Sequence, residues 1–81
     1  MPRYVLVTRT KMAKFRRAMK KEYLLEETTR GEAFREAGET FYRHYFEYHA
    51  PCTGKLEEDG QPIFAFSGNS KGEIEIERLI D

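Results

Sequence analysis

The alternation and spacing of apolar residues predict a chain that mixes strands and helices. Residues 3–8 (RYVLVT) are rich in β-branched side chains and apolar on both faces, which favours an interior strand. Residues 73–77 alternate between Glu and Ile, so one face of a strand there is expected to be buried. Strands over 55–57 and 62–66 are joined by Asp59-Gly60, a pair typical of tight turns.

A first helix is predicted over residues 11–25, with Thr10 as its N-cap. Apolar residues recur there every three or four positions, which places them on one helical face. They are Met12, Phe15, Met19 and Tyr23. The opposite face would be basic. Its charges run against the helix dipole, because basic residues fill the first turns and glutamates follow, so a ligand or tertiary contact is expected to offset them.

A second helix is predicted from Thr29, which forms a capping-box pattern with Glu32, to Ala50-Pro51. A strand over 41–49 is the alternative, since aromatic residues favour strands. The helical period leaves only Tyr42 and Phe46 unexplained, whereas a strand places aromatic and charged residues on both faces. The helix is therefore preferred.

These elements predict an α+β fold in which residues 1–81 form a single small two-layer domain. The expected order is β-α-α-β-β, or β-α-α-β-β-β if 55–57 forms a short extra strand before the last hairpin, with two helices packed on one face of a mostly antiparallel sheet. The other sheet face would keep apolar side chains from 63–66 and from the first strand. An uncovered apolar face of that kind is typical of a dimer or partner surface, so a homodimer through it is one expectation.

Charge is segregated along the chain, although its 14 basic and 14 acidic residues give zero net charge. Residues 1–21 contain no acidic side chain, so all the acidic residues lie beyond them. Such asymmetry predicts an electrostatic face. The residues expected to bind a partner are Arg9, Lys14, Arg16, Arg17, Lys20 and Lys21.

The favoured function is a non-enzymatic binding or regulatory protein, acting as an inhibitor or adaptor. Its basic helix face would dock on an acidic protein surface or a ribonucleoprotein. Direct nucleic-acid binding is the alternative, with Tyr42 or Phe46 stacking on a base. Zero net charge and the absence of a known nucleic-acid motif count against that alternative.

Sites for catalysis and cofactors are weakly indicated. His44, His49 and Cys52 lie close in sequence but lack zinc-ligand spacing, so no metal is expected. A small enzyme using Cys52 and His49 is the least favoured function, since a thiol after a helix C-terminus is poorly activated. Residues 68–72 lack the phosphate-loop pattern, so no cofactor is expected. One cysteine, no membrane-length apolar run and no signal peptide predict a cytoplasmic protein.

Overall fold

The structure is a computed structural model that describes residues 1–11, 18–49 and 51–80. These residues form one helix and five strands, in the order β1 (Tyr4–Thr10), β2 (Met19–Leu24), α1 (Arg30–Tyr48), β3 (Cys52–Glu58), β4 (Gln61–Gly68) and β5 (Ile74–Arg78). The expected α+β class is confirmed. The expected β-α-α-β-β order is wrong, because the described residues contain one helix and follow the order β-β-α-β-β-β.

The strands form one antiparallel sheet in the order β2-β1-β3-β4-β5. The helix α1 packs on one face of this sheet through Ala33, Ala37, Phe41 and His44, all of which are buried. Its apolar stripe lies over β1, β3 and β4, so these three strands carry most of the core. The edge strands β2 and β5 are more exposed.

The segment 19–24 corrects the predicted first helix. It forms β2, in which Tyr23 pairs with Leu6 and Lys21 pairs with Thr8 of β1. The spacing of Met19 and Tyr23 also fits a strand, where residues two and four apart share a face. Backbone pairing with β1 favours the strand over the helix for this segment. The remainder of the predicted helix, residues 12–17, lies outside the described residues.

The second predicted helix is confirmed as α1, and the alternative strand over 41–49 is wrong. Thr29 precedes the helix in an extended conformation, but its side chain makes no capping hydrogen bond, so the predicted capping box is wrong in that detail. The helix ends at His49, whose backbone is left-handed (φ 48°) and whose N–H donates to the Tyr45 carbonyl. Pro51 follows, which cannot continue a helix.

Close packing in the core depends on one glycine beneath the helix. Phe41 lies 5.5 Å, centroid to centroid, from the Phe66 ring, and its edge covers Gly54. A Cβ at Gly54 would stand 2.9 Å from the Phe41 ring, so a side chain there would push the helix away from β3. The turn between β3 and β4 is the predicted Asp59-Gly60 pair, and both residues have positive φ.

The sheet face opposite α1 differs from the apolar face that was expected. Phe64 and Phe66 point toward the helix, where both pack against Phe34. The strand registers leave Val5, Val7, Leu24 and Ala65 as the apolar residues of the open face. The polar residues of that face are Arg9, Lys20, Glu22, Thr53, Lys55, Glu57, Ser67, Glu75 and Glu77. Most of the open face is therefore charged or polar.

In the part of the chain that the structure describes, no helix is both long enough and apolar enough to cross a membrane.

Candidate functional site

One end of the sheet gathers several of the predicted site residues. Thr10 at the end of β1 pairs with Met19 at the start of β2 and with Cys52 at the start of β3. Cys52 pairs in turn with Gly68 at the end of β4. The chain therefore leaves the sheet from this row after Thr10 and Gly68 and enters it there at Met19 and Cys52. The C-terminus of α1 arrives at the same end.

Basic side chains are concentrated at this end of the sheet, which we call the basic end. Lys11 is fixed there because its backbone N–H donates to the Pro51 carbonyl over 3.0 Å. The described basic residues of the basic end are Arg9, Lys11, Lys20, Lys21 and Lys71, all of which are exposed. Glu73 and Glu75 line the same depression as Arg9 and Lys11, so this end also carries carboxylates.

Few of these cations are neutralised by the protein's own carboxylates. Lys20 lies 3.8 Å from Glu22, and both side chains are largely exposed, so that ion pair is weak. The other ion pair found among the described residues joins Arg30 to Glu58 at the opposite end, over 2.8 Å. Among the described residues, Arg9, Lys11, Lys21 and Lys71 form no ion pair, although Glu73 and Glu75 lie beside Arg9 and Lys11.

Arg9 and Lys20 form a like-charge pair across β1 and β2. They are direct partners in the strand register and share the open face of the sheet. Like charges directly opposite each other destabilise an antiparallel pair. The Arg9–Lys20 pair therefore does not contribute to the stability of the sheet, apart from the exposed contact of Lys20 with Glu22.

The predicted binding residues are thus partly relocated. Lys20 and Lys21 lie on β2, so the expected basic helix face is wrong for these two, and Arg9 lies on β1. Lys21 lies on the side of the sheet facing α1, away from Arg9 and Lys20. Lys14, Arg16 and Arg17 lie outside the described residues, in the segment that joins β1 to β2.

Lys21 is held beside the helix by an aromatic ring. Its ammonium lies 5.0 Å from the centroid of the Tyr23 ring, within the range of a cation–π contact. Contact with Tyr23, followed by charge interaction with Tyr48, raises the pKa of Lys21. The ammonium is therefore charged at neutral pH.

His44 is buried at the same flank of α1 and is fully hydrogen-bonded. Its Nε2 lies 2.6 Å from the Thr10 hydroxyl, and its Nδ1 lies 2.7 Å from the Tyr23 hydroxyl. Burial lowers the pKa of His44, which favours the neutral ring. A neutral imidazole donates from one nitrogen and accepts at the other, so one hydroxyl accepts and the other donates. This network ties α1 to β1 and β2, a structural role.

An aromatic cleft lies at the other flank of α1, between its C-terminal half and the turn from β4 to β5. The residues lining this aromatic cleft include Tyr42, Tyr45, Phe46, His49, Ser70 and Lys71. Tyr42 and Phe46 are 53% and 54% exposed, and their ring centroids are 4.8 Å apart. Two adjacent aromatic faces are therefore open to solvent.

The walls of the aromatic cleft are fixed by close contacts. The Tyr45 ring lies directly over Gly68, where an added Cβ would come within 2.7 Å, and its hydroxyl donates to the Asn69 carbonyl. The Asn69 side chain accepts hydrogen bonds from the backbone N–H groups of Lys71 and Glu73, at 2.8 and 3.1 Å. The turn that carries Lys71 is thereby held against the helix.

Cys52 and His49 occupy different environments. Cys52 is buried in the core, where burial raises the pKa of its thiol, so a thiolate is disfavoured at neutral pH. His49 is exposed at the rim of the aromatic cleft. In residues 1–11, 18–49 and 51–80, no cluster of three His, Cys, Asp or Glu side chains is placed to hold a metal ion.

Only part of the aromatic cleft carries a signal in the sequence. Tyr42 and Phe46 were signalled as the two aromatic residues that break the helical pattern. Lys71 gave no such signal, because it lies in a turn whose place beside α1 depends on the sheet topology.

Comparison with known proteins gives no match: no family model matches the chain, and no curated protein or solved structure is significantly similar to it.

Proposed function

We propose that this protein is a small non-enzymatic binding protein that docks through its basic end on a larger acidic partner, either a protein surface or a ribonucleoprotein. The like-charge pair of Arg9 and Lys20 carries this proposal. A fold selected for stability alone favours opposite charges at such positions. A bound polyanion relieves the repulsion and gains attraction from both cations.

The basic residues near Arg9 also favour an acidic partner. Lys11 follows Arg9 along the chain, and Lys20 and Lys71 lie at the same end of the sheet. A cluster of this kind raises the rate of association with an acidic partner and makes binding sensitive to salt. Because the protein is small, it would act by occupying or bridging a surface, as an inhibitor or an adaptor.

A second candidate is a protein that contacts nucleic acid directly. The observation favouring it is the aromatic cleft, since half-exposed rings beside Lys71 suit a nucleic-acid base and its phosphate.

The proposed function is tested with fluorescent polyanion probes of different chemistry: poly-L-glutamate, heparin and mixed-sequence RNA. Fluorescence anisotropy is recorded at low and at near-physiological salt. We expect the protein to bind at least one probe. The double variant Arg9→Gln/Lys20→Gln should bind that probe more weakly, and its salt dependence should be flatter by about one unit of log–log slope for each cation removed.

Arg3→Gln is the matched control, because it removes a cation at the opposite end, where the Arg3 carbonyl accepts from the Asp59 N–H. It should bind nearly as well as the unmodified protein. The proposal is overturned if no probe binds at low salt, or if the double variant binds like the control.

A further inference from the structure

The geometry points to a single-stranded nucleic acid as the partner, with bases stacked on Tyr42 and Phe46 in the aromatic cleft and phosphates lying on Lys71. This inference rests on the proposed function, since it names the chemistry of the polyanion that the basic end attracts. It also assigns a binding site to residues that lie apart from the basic strands.

The exposure of Tyr42 and Phe46 is not explained by folding. The other aromatic residues of α1 are buried or partly buried; they are Phe34, Phe41, Tyr45 and Tyr48. Elsewhere the solvent side of the helix carries charged residues such as Arg35, Glu39 and Arg43, which suit water. Two neighbouring rings, each about half exposed, therefore form an apolar patch that needs a partner.

The chemistry of the aromatic cleft favours nucleobases over acidic peptides. Every base presents a π-face that stacks on an aromatic ring regardless of sequence. The faces of Tyr42 and Phe46 carry negative quadrupole density, so a carboxylate gains nothing from them. An acidic protein would contact the basic residues alone and would leave the rings of Tyr42 and Phe46 without a partner.

The preference for a single strand over a duplex follows from access to the faces of the bases. In a duplex the base faces are stacked on one another, so rings on a protein surface reach them only after unstacking. A single strand offers its bases freely, and its backbone is recognised by nearby cations. Lys71 supplies such a cation in the cleft, and the Ser70 hydroxyl and His49 ring supply hydrogen-bonding groups beside it.

The fold brings the two parts of the site to one end of the molecule. The turn carrying Lys71 leaves β4 at Gly68, in the same row of the sheet as Cys52, Thr10 and Met19. Arg9 and Lys20 lie on the open face and the aromatic cleft lies on the helix face, so a single strand contacts both by wrapping around this end of the sheet. Simultaneous contact raises affinity without requiring a deep pocket.

The inference is tested by fluorescence anisotropy with a labelled 12-nucleotide oligo(U), the corresponding U·A duplex and labelled poly-L-glutamate. Tyr42→Ala and Phe46→Ala should each lower affinity for oligo(U) about 5- to 150-fold, the range that corresponds to loss of one stacked base. Tyr42→Phe should retain binding, because it keeps the ring. Leu24→Ala is the matched control, since it removes an exposed apolar side chain outside the cleft.

An independent signal comes from tyrosine fluorescence, which is observable because the chain contains no tryptophan. Stacking of a base on Tyr42 should quench part of the tyrosine emission. The Tyr42→Phe variant should still bind oligo(U) but should lose the quenching that comes from Tyr42. Circular dichroism of each variant shows whether it is folded.

The outcomes separate this inference from the proposed function. Weak binding by the alanine variants, together with a preference for oligo(U) over the duplex, supports it. If oligo(U) and the duplex bind equally and neither alanine variant matters, the base-stacking site is overturned while the polyanion-binding function stands. If only poly-L-glutamate binds, the partner is an acidic protein and the inference is overturned. If no probe binds, both are overturned.

Discussion

The two flanks of α1 treat aromatic and polar side chains in opposite ways. On the flank facing β1 and β2, Tyr23 and Thr10 share their hydroxyls with the buried ring of His44. On the flank facing β4 and β5, the rings of Tyr42 and Phe46 contact each other at an interplanar angle of 54° and remain about half exposed. Both flanks belong to one helix, so the difference arises from what the neighbouring strands offer each side chain.

The flank of α1 that faces β1 and β2 and contains His44, which we call the closed flank, has its buried polar groups paired. In the part of the chain that the structure describes, no buried side-chain nitrogen or oxygen lacks a hydrogen-bond partner. The flank that faces β4 and β5, which we call the open flank, leaves apolar surface of Tyr42 and Phe46 exposed to solvent. The buried histidine has both ring nitrogens paired within the fold, whereas the exposed rings of Tyr42 and Phe46 have no such partner and are the basis of the base-stacking proposal.

The largest expected effect separates the two flanks by stability. His44→Ala leaves the Thr10 and Tyr23 hydroxyls without their partner and opens a cavity, so it should destabilise the protein by about 3 kcal/mol. Phe46→Ala on the open flank should change stability by only about 0.5 kcal/mol. Urea unfolding measures both. Equal losses would show that the flanks do not differ as described.

A smaller effect is expected from two glycines near the open flank. Gly68→Ala places a Cβ against the Tyr45 ring and should cost about 1–3 kcal/mol through overpacking. Gly38→Ala meets nothing within 4 Å in the helix and should stabilise the protein by about 0.5–1 kcal/mol. Thermal unfolding compares them, and a loss of stability in both variants would contradict the described contact.

A pH titration should detect the closed flank alone. Burial lowers the pKa of His44 below the ordinary 6.5, Lys21 adds to the lowering, and Glu47 opposes it. The unfolded chain then binds the proton more readily, so the contribution of this group is complete above pH 6.5 and is lost as the pH falls below that value. Stability measured by urea unfolding should therefore decline between neutral and mildly acidic pH.

His44→Gln should reduce that decline, because glutamine does not titrate. His49→Gln is the control, since the His49 ring is exposed and lies on the open flank. A decline that persists in His44→Gln and disappears in His49→Gln would assign the pH dependence to the wrong flank.

The smallest expected effect concerns the like-charge pair of Arg9 and Lys20 on the open face of the sheet. Arg9→Thr removes the repulsion with Lys20 and adds a residue that favours strands, so it should stabilise the protein by about 0.2–1 kcal/mol at low salt. The gain should shrink as salt screens the charges. Thermal unfolding at two salt concentrations measures it. A clear loss of stability would show that Arg9 serves the fold.

Sequence patterns predicted the elements that are strongly periodic and well buried. The strand at 3–8 matches most of β1, and the helix between Thr29 and Ala50-Pro51 matches α1. The Asp59-Gly60 turn was found because its residues adopt positive φ readily. These elements carry their own local signals.

The edge strand β2 was missed because its burial is weak. Met19 and Tyr23 are only partly buried, and the segment joining β1 to β2 contains no glycine, proline, asparagine or aspartate to mark a turn. One signal was nevertheless available: the charges over 11–27 oppose a helix dipole, and that conflict counted against a helix. The site was half predicted for the same reason, since its residues meet only through sheet pairing.

The burial of Cys52 has a practical consequence. The lone thiol sits between Thr10 and Gly68 in the row that supports the basic end, and it is 3% exposed. A thiol-specific reagent can reach it only when that part of the sheet separates transiently. The rate of labelling therefore measures how often this part of the sheet opens. A ligand that bridges the strands should lower that rate, and the natural thiol serves as the probe.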